Sequence, residues 1–277
     1  MDCKVKKIAI IGTGAMGKRI AIKAATYNYE VKLYDIDIDK LKNFVRSWKK
    51  YVKKTDSLGT ITFCTDISNT VADVDLIIEA IPEILELKLE TFNQIDKVAP
   101  HNAIIASNSS SFPISKLESA VERKDKLLNI HFYMGLDELS LIEMADIMKG
   151  NETSEETFEI GKNWIESIKF RPLIVKKESY GFLFNRIWRA IKKECLKVWA
   201  GGYADIEDID AAWKIALGTP DGPFMTMDKI GLDVVYDIEM SYFRNSRNPD
   251  DMPPQALKEM VDKGFLGLKT KRGFYEY

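Results

Sequence analysis

Hydrophobic and polar positions follow two different patterns along the chain. From Val5 to about Val175, short β-rich apolar runs alternate with longer amphipathic stretches, an order that builds a parallel sheet covered by helices. After Tyr180 the alternation stops, and segments such as NRIWRAIKKECLKVWAGG have helical periodicity with glycine at their ends. The pattern predicts an α/β domain over residues 1–178 and an all-helical domain over residues 179–277.

Short apolar runs supply the candidate strands of the first domain. They are VKKIAIIG, VKLYD, ITFCT, DLIIEAI, AIIAS, LLNIHF and PLIV. Because amphipathic segments separate most of them, consecutive strands can run in the same direction with helices packed on both faces. The expected fold is a doubly wound, mostly parallel sheet followed by a C-terminal helical domain.

The first apolar run ends in a glycine motif, GTGAMG, which continues into a helix-like segment. In this GxGxxG arrangement the first glycine permits a tight turn, the second allows a pyrophosphate to approach, and the third lets the helix pack closely. Backbone amides at the helix start would face the phosphates. The motif predicts a Rossmann-type dinucleotide site; a glycine turn without a nucleotide is the alternative. The predicted cofactor-binding residues of the motif are Gly12, Thr13, Gly14, Ala15, Met16 and Gly17.

An acidic residue, Asp35, ends the second predicted strand in VKLYDID. A carboxylate at this position can accept hydrogen bonds from the ribose hydroxyls and would repel a 2′-phosphate. Asp35 therefore favours NAD over NADP as the cofactor.

Composition and charge narrow the class of partner. The formal net charge of −2 gives no basic field for nucleic acid or an anionic membrane, so a small-molecule partner is expected. Three cysteines without CxxC spacing and only two histidines suggest neither a disulfide framework nor a metal site. With no signal-peptide pattern and no membrane-spanning apolar run, a cytoplasmic location is expected.

A family resemblance rests on the order and spacing of several segments along nearly the whole chain. They are IGTGAMG, IIEAIPEILELK, ASNSSSFPIS, HF followed by Glu143, GFLFNR, GPFMTMDKIGLD and GLKTKRGFYEY. In these segments the chain resembles the 3-hydroxyacyl-CoA dehydrogenases, including 3-hydroxybutyryl-CoA dehydrogenases. The resemblance implies oxidation of an (S)-3-hydroxyl group to a ketone by hydride transfer to NAD.

The resemblance assigns His131 as the general base and Glu143, twelve residues later, as the carboxylate that orients it. Histidine suits proton transfer because its ordinary pKa lies near neutral pH. Glu143 would accept a hydrogen bond from the second ring nitrogen if LLNIHF and SLIEM are neighbouring strands. Without the surrounding motifs, a buried histidine and an exposed glutamate would be the better interpretation.

Two further residues match family positions that hold the substrate oxygen. Ser110 in SNSSS and Asn185 in GFLFNR would orient the alcohol and polarise the ketone. Each could instead have a loop or capping role. For Asn108, Ser109 and Ser111 that structural role is the expectation.

Three charged residues match positions close to the cofactor. Glu83 and Lys88 in IPEILELK correspond to residues near the nicotinamide ribose, and Lys269 in the terminal motif corresponds to a lysine that approaches the cofactor. Solvated charges on a helix or tail are the alternative for all three.

Two departures from the family pattern bear on the substrate. Met134 and Gly135 stand where Asn-Pro usually follows the histidine, and only about two dozen residues separate Asp35 from ITFCT, below the usual length of the arm that contributes to coenzyme A binding. The shortened arm still offers donors to the phosphates of coenzyme A, and the aromatic residues Phe44, Trp48 and Tyr51 to its adenine. The phosphate donors are Ser47, Lys49, Lys50, Lys53 and Lys54. A basic solvated helix is the alternative.

Three functions therefore stay open. The first is a short-chain 3-hydroxyacyl-CoA dehydrogenase, and the second is a dehydrogenase of a free hydroxy acid, as in the related λ-crystallin and gulonate dehydrogenases. The third is an NAD-binding relative without turnover, although joint retention of His131, Glu143, Ser110 and Asn185 argues against it. The family's helical domain is also its dimer interface, so a homodimer is expected.

Overall fold

The computed structural model describes residues 4–37, 39, 41–44, 48, 59–135 and 140–277. The chain divides into two compact units, one ending at Leu183 and one running from Phe184 to Tyr277. The predicted division after residue 178 falls shortly before this point.

The first unit contains one sheet of eight strands among the residues described. They are β1 (Lys7–Ile11), β2 (Glu30–Tyr34), β3 (Ile61–Cys64), β4 (Leu76–Glu79), β5 (Ile104–Ser107), β6 (Leu127–Met134), β7 (Leu141–Lys149) and β8 (Arg171–Val175). Their order across the sheet is β3-β2-β1-β4-β5-β6-β7-β8, and every neighbouring pair is parallel except β6 and β7. Since the order runs outward from β1 and β4 in opposite directions, the predicted doubly wound, mostly parallel sheet is confirmed.

Helices cover both faces of this sheet. They are α1 (Ala15–Thr26), α2 (Ile67–Val71), α3 (Leu85–Val98) and α4 (Glu155–Ser167), with short 3-10 turns at Ile114–Lys116, Glu118–Ala120 and Lys124–Lys126. Successive side chains of a strand point to opposite faces. Ile8 and Ile10 accordingly belong to one buried cluster with Trp164, whereas Ile11 belongs to a second with Phe92. Burial on both faces explains why the strands read as nearly continuous apolar runs.

The shortened arm between β2 and β3 is described only in part. Its predicted phosphate donors Ser47, Lys49, Lys50, Lys53 and Lys54, and the aromatic Tyr51, lie outside the described residues. Phe44 and Trp48 are buried in the core, and Phe44 packs edge-on against Phe63 with ring centroids 5.9 Å apart. The prediction that these two aromatics are available to adenine is therefore wrong, because the core covers both of them.

The second unit is helical, as predicted. Its helices are α5 (Phe184–Ala200), α6 (Ile206–Leu217), α7 (Pro223–Ile230), α8 (Leu232–Ser246) and α9 (Gln255–Asp262), with 3-10 turns at Pro249–Asp251 and Leu268–Thr270. A core around Phe224, Leu232 and Phe274 joins them. The C-terminal tail is fixed to α7 because the Asp228 carboxylate accepts from the amides of Phe274 and Tyr275, at 2.9 Å each. Among the helices described in either unit, none has the length and apolar character needed to cross a membrane.

Candidate active site

The three glycines of the motif between β1 and α1 differ in their steric surroundings. Gly12 has a φ of +106°, and a Cβ there would lie 2.6 Å from the Ala80 carbonyl oxygen. A Cβ on Gly17 would lie 1.9 Å from the Gly12 carbonyl oxygen, so only glycine lets the helix approach the turn. A Cβ on Gly14 would have no atom within 4 Å. The first and third glycines therefore serve the fold, whereas the second borders open space.

The start of α1 can accept an anion. Gly14 caps the helix without a side-chain hydrogen bond, the first turn has no acidic residue, and Gly14 and Ala15 are both exposed. Because the first amides of a helix have no partner within the helix, they can donate to phosphate oxygens here. This cradle fits the pyrophosphate of a dinucleotide.

Asp35 is fixed at the carboxyl end of β2, beside the glycine turn. Its Oδ2 accepts from the Thr13 amide at 2.6 Å and from the Thr13 hydroxyl at 2.7 Å, while Oδ1 accepts from the Asp37 amide at 2.8 Å. The carboxylate thus holds the glycine turn against β2 and retains acceptor capacity at Oδ1, since each carboxylate oxygen has two lone pairs.

A buried ion pair lies at the ends of β4 and β5. Lys88 is 1% exposed, and its Nζ contacts Glu79 Oε1 at 2.6 Å, Glu83 Oε2 at 3.3 Å and the Ile81 carbonyl at 3.4 Å. The second Glu79 oxygen accepts from the Ser107 hydroxyl at 2.7 Å. Since an ammonium has three N–H donors, these contacts leave none for a ribose or phosphate. The structure thus places the Lys88 ammonium inside the fold, although the sequence predicted it to be a cofactor ligand.

Glu83 connects this ion pair to the serine loop after β5. Its Oε1 accepts from the Ser109 hydroxyl and from the Ser111 amide. Asn108 accepts from the Phe132 amide at 2.9 Å, which ties the loop to β6. As predicted, these neighbours of Ser110 are structural. Ser110 itself is exposed, and its side chain makes no hydrogen bond within the part of the chain that the structure describes.

His131 lies on β6, on the side of the sheet where the parallel strands β4 and β5 end. Asn129 pairs with Ser107, the last residue of β5, so His131 extends beyond the end of that strand. The imidazole is 5% exposed, and its Nδ1 lies 3.3 Å from Asp146 Oδ2. Asp146 is directly opposite His131 in the β6–β7 register and is completely buried. A buried carboxylate in this position orients the ring and favours the Nδ1–H tautomer, in which Nε2 carries the free lone pair.

The predicted partner of His131, Glu143, is wrong. Its side chain is 73% exposed, and its Oε1 lies 3.5 Å from Lys23 Nζ on α1. The register shifts between Phe132 and Tyr133, so residues 143 and 144 fall between two ladder pairs. The orienting carboxylate is Asp146, for which the sequence does hold a signal: a charged residue between Ala145 and Ile147, within an apolar strand.

Two aromatic residues that the sequence reading missed enclose the histidine. Phe182 stacks on its ring with centroids 5.0 Å apart and planes inclined by 17°, and Tyr133 contacts the ring edge-on at 4.6 Å. Phe182 belongs to GFLFNR, and both it and Gly181 have positive φ. The sharp turn that brings this ring over His131 is thus built from a rare backbone conformation for a residue with a side chain.

Two of the predicted site residues, Asn185 and Lys269, belong to the second unit. Asn185 is half-buried in the first turn of α5. Lys269 forms an ion pair with Asp233. Their predicted roles at the substrate and the cofactor stay predictions.

Comparison with known proteins identifies the family over nearly the whole chain. Residues 7–179 match the 3-hydroxyacyl-CoA dehydrogenase NAD binding domain, and residues 181–277 match the 3-hydroxyacyl-CoA dehydrogenase C-terminal domain. The mitochondrial hydroxyacyl-coenzyme A dehydrogenase of Homo sapiens is 33% identical over 291 residues, which cover 99% of this chain and 91% of that protein.

Two solved structures are similar over 99% of both chains compared. One is the (S)-3-hydroxybutyryl-CoA dehydrogenase of Ralstonia eutropha, with a TM-score of 0.85 and 30% identity. The other is a diketoreductase described as acting on dicarbonyl compounds, with a TM-score of 0.86 and 29% identity. With both of its domains matched in order, the chain belongs to the 3-hydroxyacyl-CoA dehydrogenase family.

Proposed function

We propose that the protein is an NAD-dependent dehydrogenase that interconverts short-chain (S)-3-hydroxyacyl-CoA and 3-oxoacyl-CoA. The observation that carries the proposal is the buried His131–Asp146 pair at 3.3 Å, on the same edge of the sheet as the glycine turn. A protein that only binds a dinucleotide has no need of a histidine oriented by a buried carboxylate. Family membership and the similarity to a 3-hydroxybutyryl-CoA dehydrogenase support the substrate class.

In the oxidative direction, His131 Nε2 removes the proton of the 3-hydroxyl group. The hydrogen on the same carbon leaves as a hydride, with both electrons of its C–H bond. The electron pair that the proton leaves on the oxygen forms the second bond of the ketone. The glycine turn and Asp35 would hold NAD, which would supply the acceptor for this hydride. Asp146 stabilises the imidazolium that forms, because its negative charge lies beside Nδ1 in a buried environment. In the reverse direction the imidazolium returns the proton to the ketone oxygen.

The oxygen of the substrate needs hydrogen-bond donors in addition to the base. The exposed Ser110 hydroxyl is a candidate, since Asn108 and Glu83 fix the backbone on either side of it while its own hydroxyl stays uncommitted within the described residues. Asn185 is the second candidate by its position in GFLFNR. Both roles follow from the family pattern.

NAD is proposed over NADP because of Asp35. With Oδ2 fixed by Thr13, the carboxylate is held in one orientation at the end of β2. A 2′-phosphate there would meet a negative charge, whereas ribose hydroxyls can donate to Oδ1.

A free hydroxy acid is the second candidate substrate. The absence of Asn-Pro after His131 and the shortened arm favour it, and the similar diketoreductase is described as acting on dicarbonyl compounds. Loss of NADH absorbance should therefore be measured with acetoacetyl-CoA and, separately, with free acetoacetate.

The same assay should compare His131→Ala with His101→Ala, which removes the only other histidine, an exposed one. Thioester turnover that His131→Ala abolishes and His101→Ala retains is the expected result. Turnover with acetoacetate alone would assign the free acid instead. NADH binding without turnover on either compound would contradict a dehydrogenase of this substrate class.

The helical unit is also proposed to form a homodimer. Several large apolar side chains in it are more than half exposed, including Ile187 on α5, Tyr203, and Ile215 and Leu217 on α6. Contact with a second copy would bury such surface. Sedimentation at micromolar protein should give twice the chain mass, and a monomer would contradict the proposal.

A further inference from the structure

Tyr133 lies beside the His131–Asp146 pair and contacts both members. Its hydroxyl donates a hydrogen bond to Asp146, and its ring meets the imidazole edge-on with centroids 4.6 Å apart. The phenol is 6% exposed, so water competes little for this hydrogen bond.

Both donors converge on one carboxylate oxygen. The Tyr133 hydroxyl and His131 Nδ1 both face Asp146 Oδ2, whereas Asp146 Oδ1 is buried and accepts no hydrogen bond within the described residues. The His131 contact, at 3.3 Å, is long for a hydrogen bond to a charged group. The two side chains therefore share a single carboxylate oxygen.

We propose that Tyr133 is a positioning residue that shares the Asp146 carboxylate with His131 and thereby sets how strongly that carboxylate acts on the histidine. A hydrogen bond to the ionised carboxylate disperses its charge, so the carboxylate stabilises the neighbouring imidazolium less.

Among the described residues, His131 has no ion-pair partner other than Asp146. The titratable side chains that contact His131 in the described part of the chain are Asp146 on β7 and Tyr133 on β6. Phe182 covers the ring without a charge, and the neighbouring loop after β5 contributes the neutral Asn108, which bonds to the β6 backbone. The inference rests on the proposed role of His131 as the base, but the geometry can be tested without turnover.

The test is a proton NMR titration of the two histidines in protein labelled with ¹³C at the histidine Cε1. Wild type is compared with Tyr133→Phe, which keeps the ring and removes only the hydroxyl. Tyr29→Phe is the matched control, since Tyr29 is also buried and its hydroxyl bonds to Ser167, away from the pair. His101 gives an internal reference in every sample.

In Tyr133→Phe, the titration midpoint of His131 should rise by about half a pH unit or more, while that of His101 stays unchanged. Tyr29→Phe should move neither midpoint. In an Asp146→Asn background, removing the Tyr133 hydroxyl should produce a smaller shift, because the charge being shared is gone.

An unchanged or lowered His131 midpoint in Tyr133→Phe, or an equal shift in both backgrounds, would overturn the proposal. If Tyr133→Phe alone fails to fold, Asp146→Asn is compared with the double variant Tyr133→Phe/Asp146→Asn. A difference of half a pH unit or more between their His131 titration midpoints contradicts the shared carboxylate. Absence of dehydrogenase turnover would contradict the proposed function, but the titration could still be interpreted.

Discussion

Asp146 lies directly opposite His131 across the antiparallel strands β6 and β7, with its Oδ2 3.3 Å from His131 Nδ1. The pairing is fixed by the backbone ladder, so the ring and the carboxylate need no flexible loop to meet. Since Asp146 is fully buried, its interaction with a protonated imidazole is only weakly screened by water.

Replacing Asp146 by asparagine should lower kcat/KM by a factor of about 10² to 10⁴, because an amide cannot hold the Nδ1–H tautomer or stabilise the imidazolium. The affinity for NADH should change by less than about threefold, since Asp146 does not contact the glycine turn. Steady-state kinetics and titration calorimetry measure the two quantities.

Glu143→Gln is the matched control for this experiment. Its side chain is 73% exposed and lies near Lys23, so activity should stay within about twofold of wild type. The reverse result, with Glu143→Gln inactive and Asp146→Asn active, would restore the pairing expected from the sequence.

The sequence predicted the fold because burial leaves a clear trace in the chain. Strands covered on both faces form the apolar runs DLIIEAI and AIIAS, and the steric demands at Gly12 and Gly17 account for two of the three glycines in the motif. The carboxylate partner of His131 leaves only a partial trace, a charged residue, Asp146, within an apolar run. Its pairing with His131 depends on a register shift after Phe132, which spacing along the chain does not encode.

The sequence also did not reveal that Lys88, on the amphipathic helix α3, is buried in the fold. Lys88 reads as a surface charge until β4 and α3 are packed, when Glu79 comes within 2.6 Å of its Nζ. Long-range partners of this kind are a property of tertiary packing and leave little trace in local periodicity.

Gly14→Ala should separate cofactor binding from folding. A Cβ at this position meets no protein atom within 4 Å, so the melting temperature should stay close to that of wild type. The added methyl group would occupy the space that a pyrophosphate needs, and the Kd for NADH should rise by about tenfold or more. Calorimetry on the folded variant measures this change.

The contrasting variant is Gly17→Ala. Its Cβ would lie 1.9 Å from the Gly12 carbonyl, so it should lower the melting temperature as well as weaken NADH binding. If Gly14→Ala bound NADH as tightly as wild type, the dinucleotide would not lie against this turn.

Lys88→Met should lower the free energy of unfolding. Removing the ammonium leaves Glu79, which is completely buried, without its cation, at a cost of about 3–5 kcal/mol in the free energy of unfolding. Urea denaturation followed by circular dichroism measures it. Lys97→Met, an exposed position on the same helix, should change stability by less than about 0.5 kcal/mol.

The double variant Lys88→Met/Glu79→Gln should recover part of the loss, since the glutamine carries no charge to be left unpaired. A Lys88→Met protein with normal stability and weakened NADH binding would instead support the role near the cofactor that the sequence suggested.

Asp251 should carry a pH-dependent share of the stability of the helical unit. Its carboxylate contacts Lys193 Nζ at 2.7 Å, the Ser246 hydroxyl at 2.6 Å and Arg189 Nη2 at 2.8 Å. Hydrogen bonds from Lys193, Ser246 and Arg189 hold the pKa of Asp251 well below its usual range. Because the folded-state pKa is depressed, this stabilisation is present above the unfolded-state pKa of about 3.9 and is lost as pH falls further.

Asp251→Asn should therefore destabilise the protein by about 2 kcal/mol at pH near 7 and by progressively less as pH falls below about 4. Urea denaturation at a series of pH values gives both quantities. Asp262→Asn, which removes an exposed partner of Lys258 on α9, should cost less than about 1 kcal/mol. A difference between wild type and Asp251→Asn that stayed constant into acid would mean that the charge of Asp251 does not stabilise the fold.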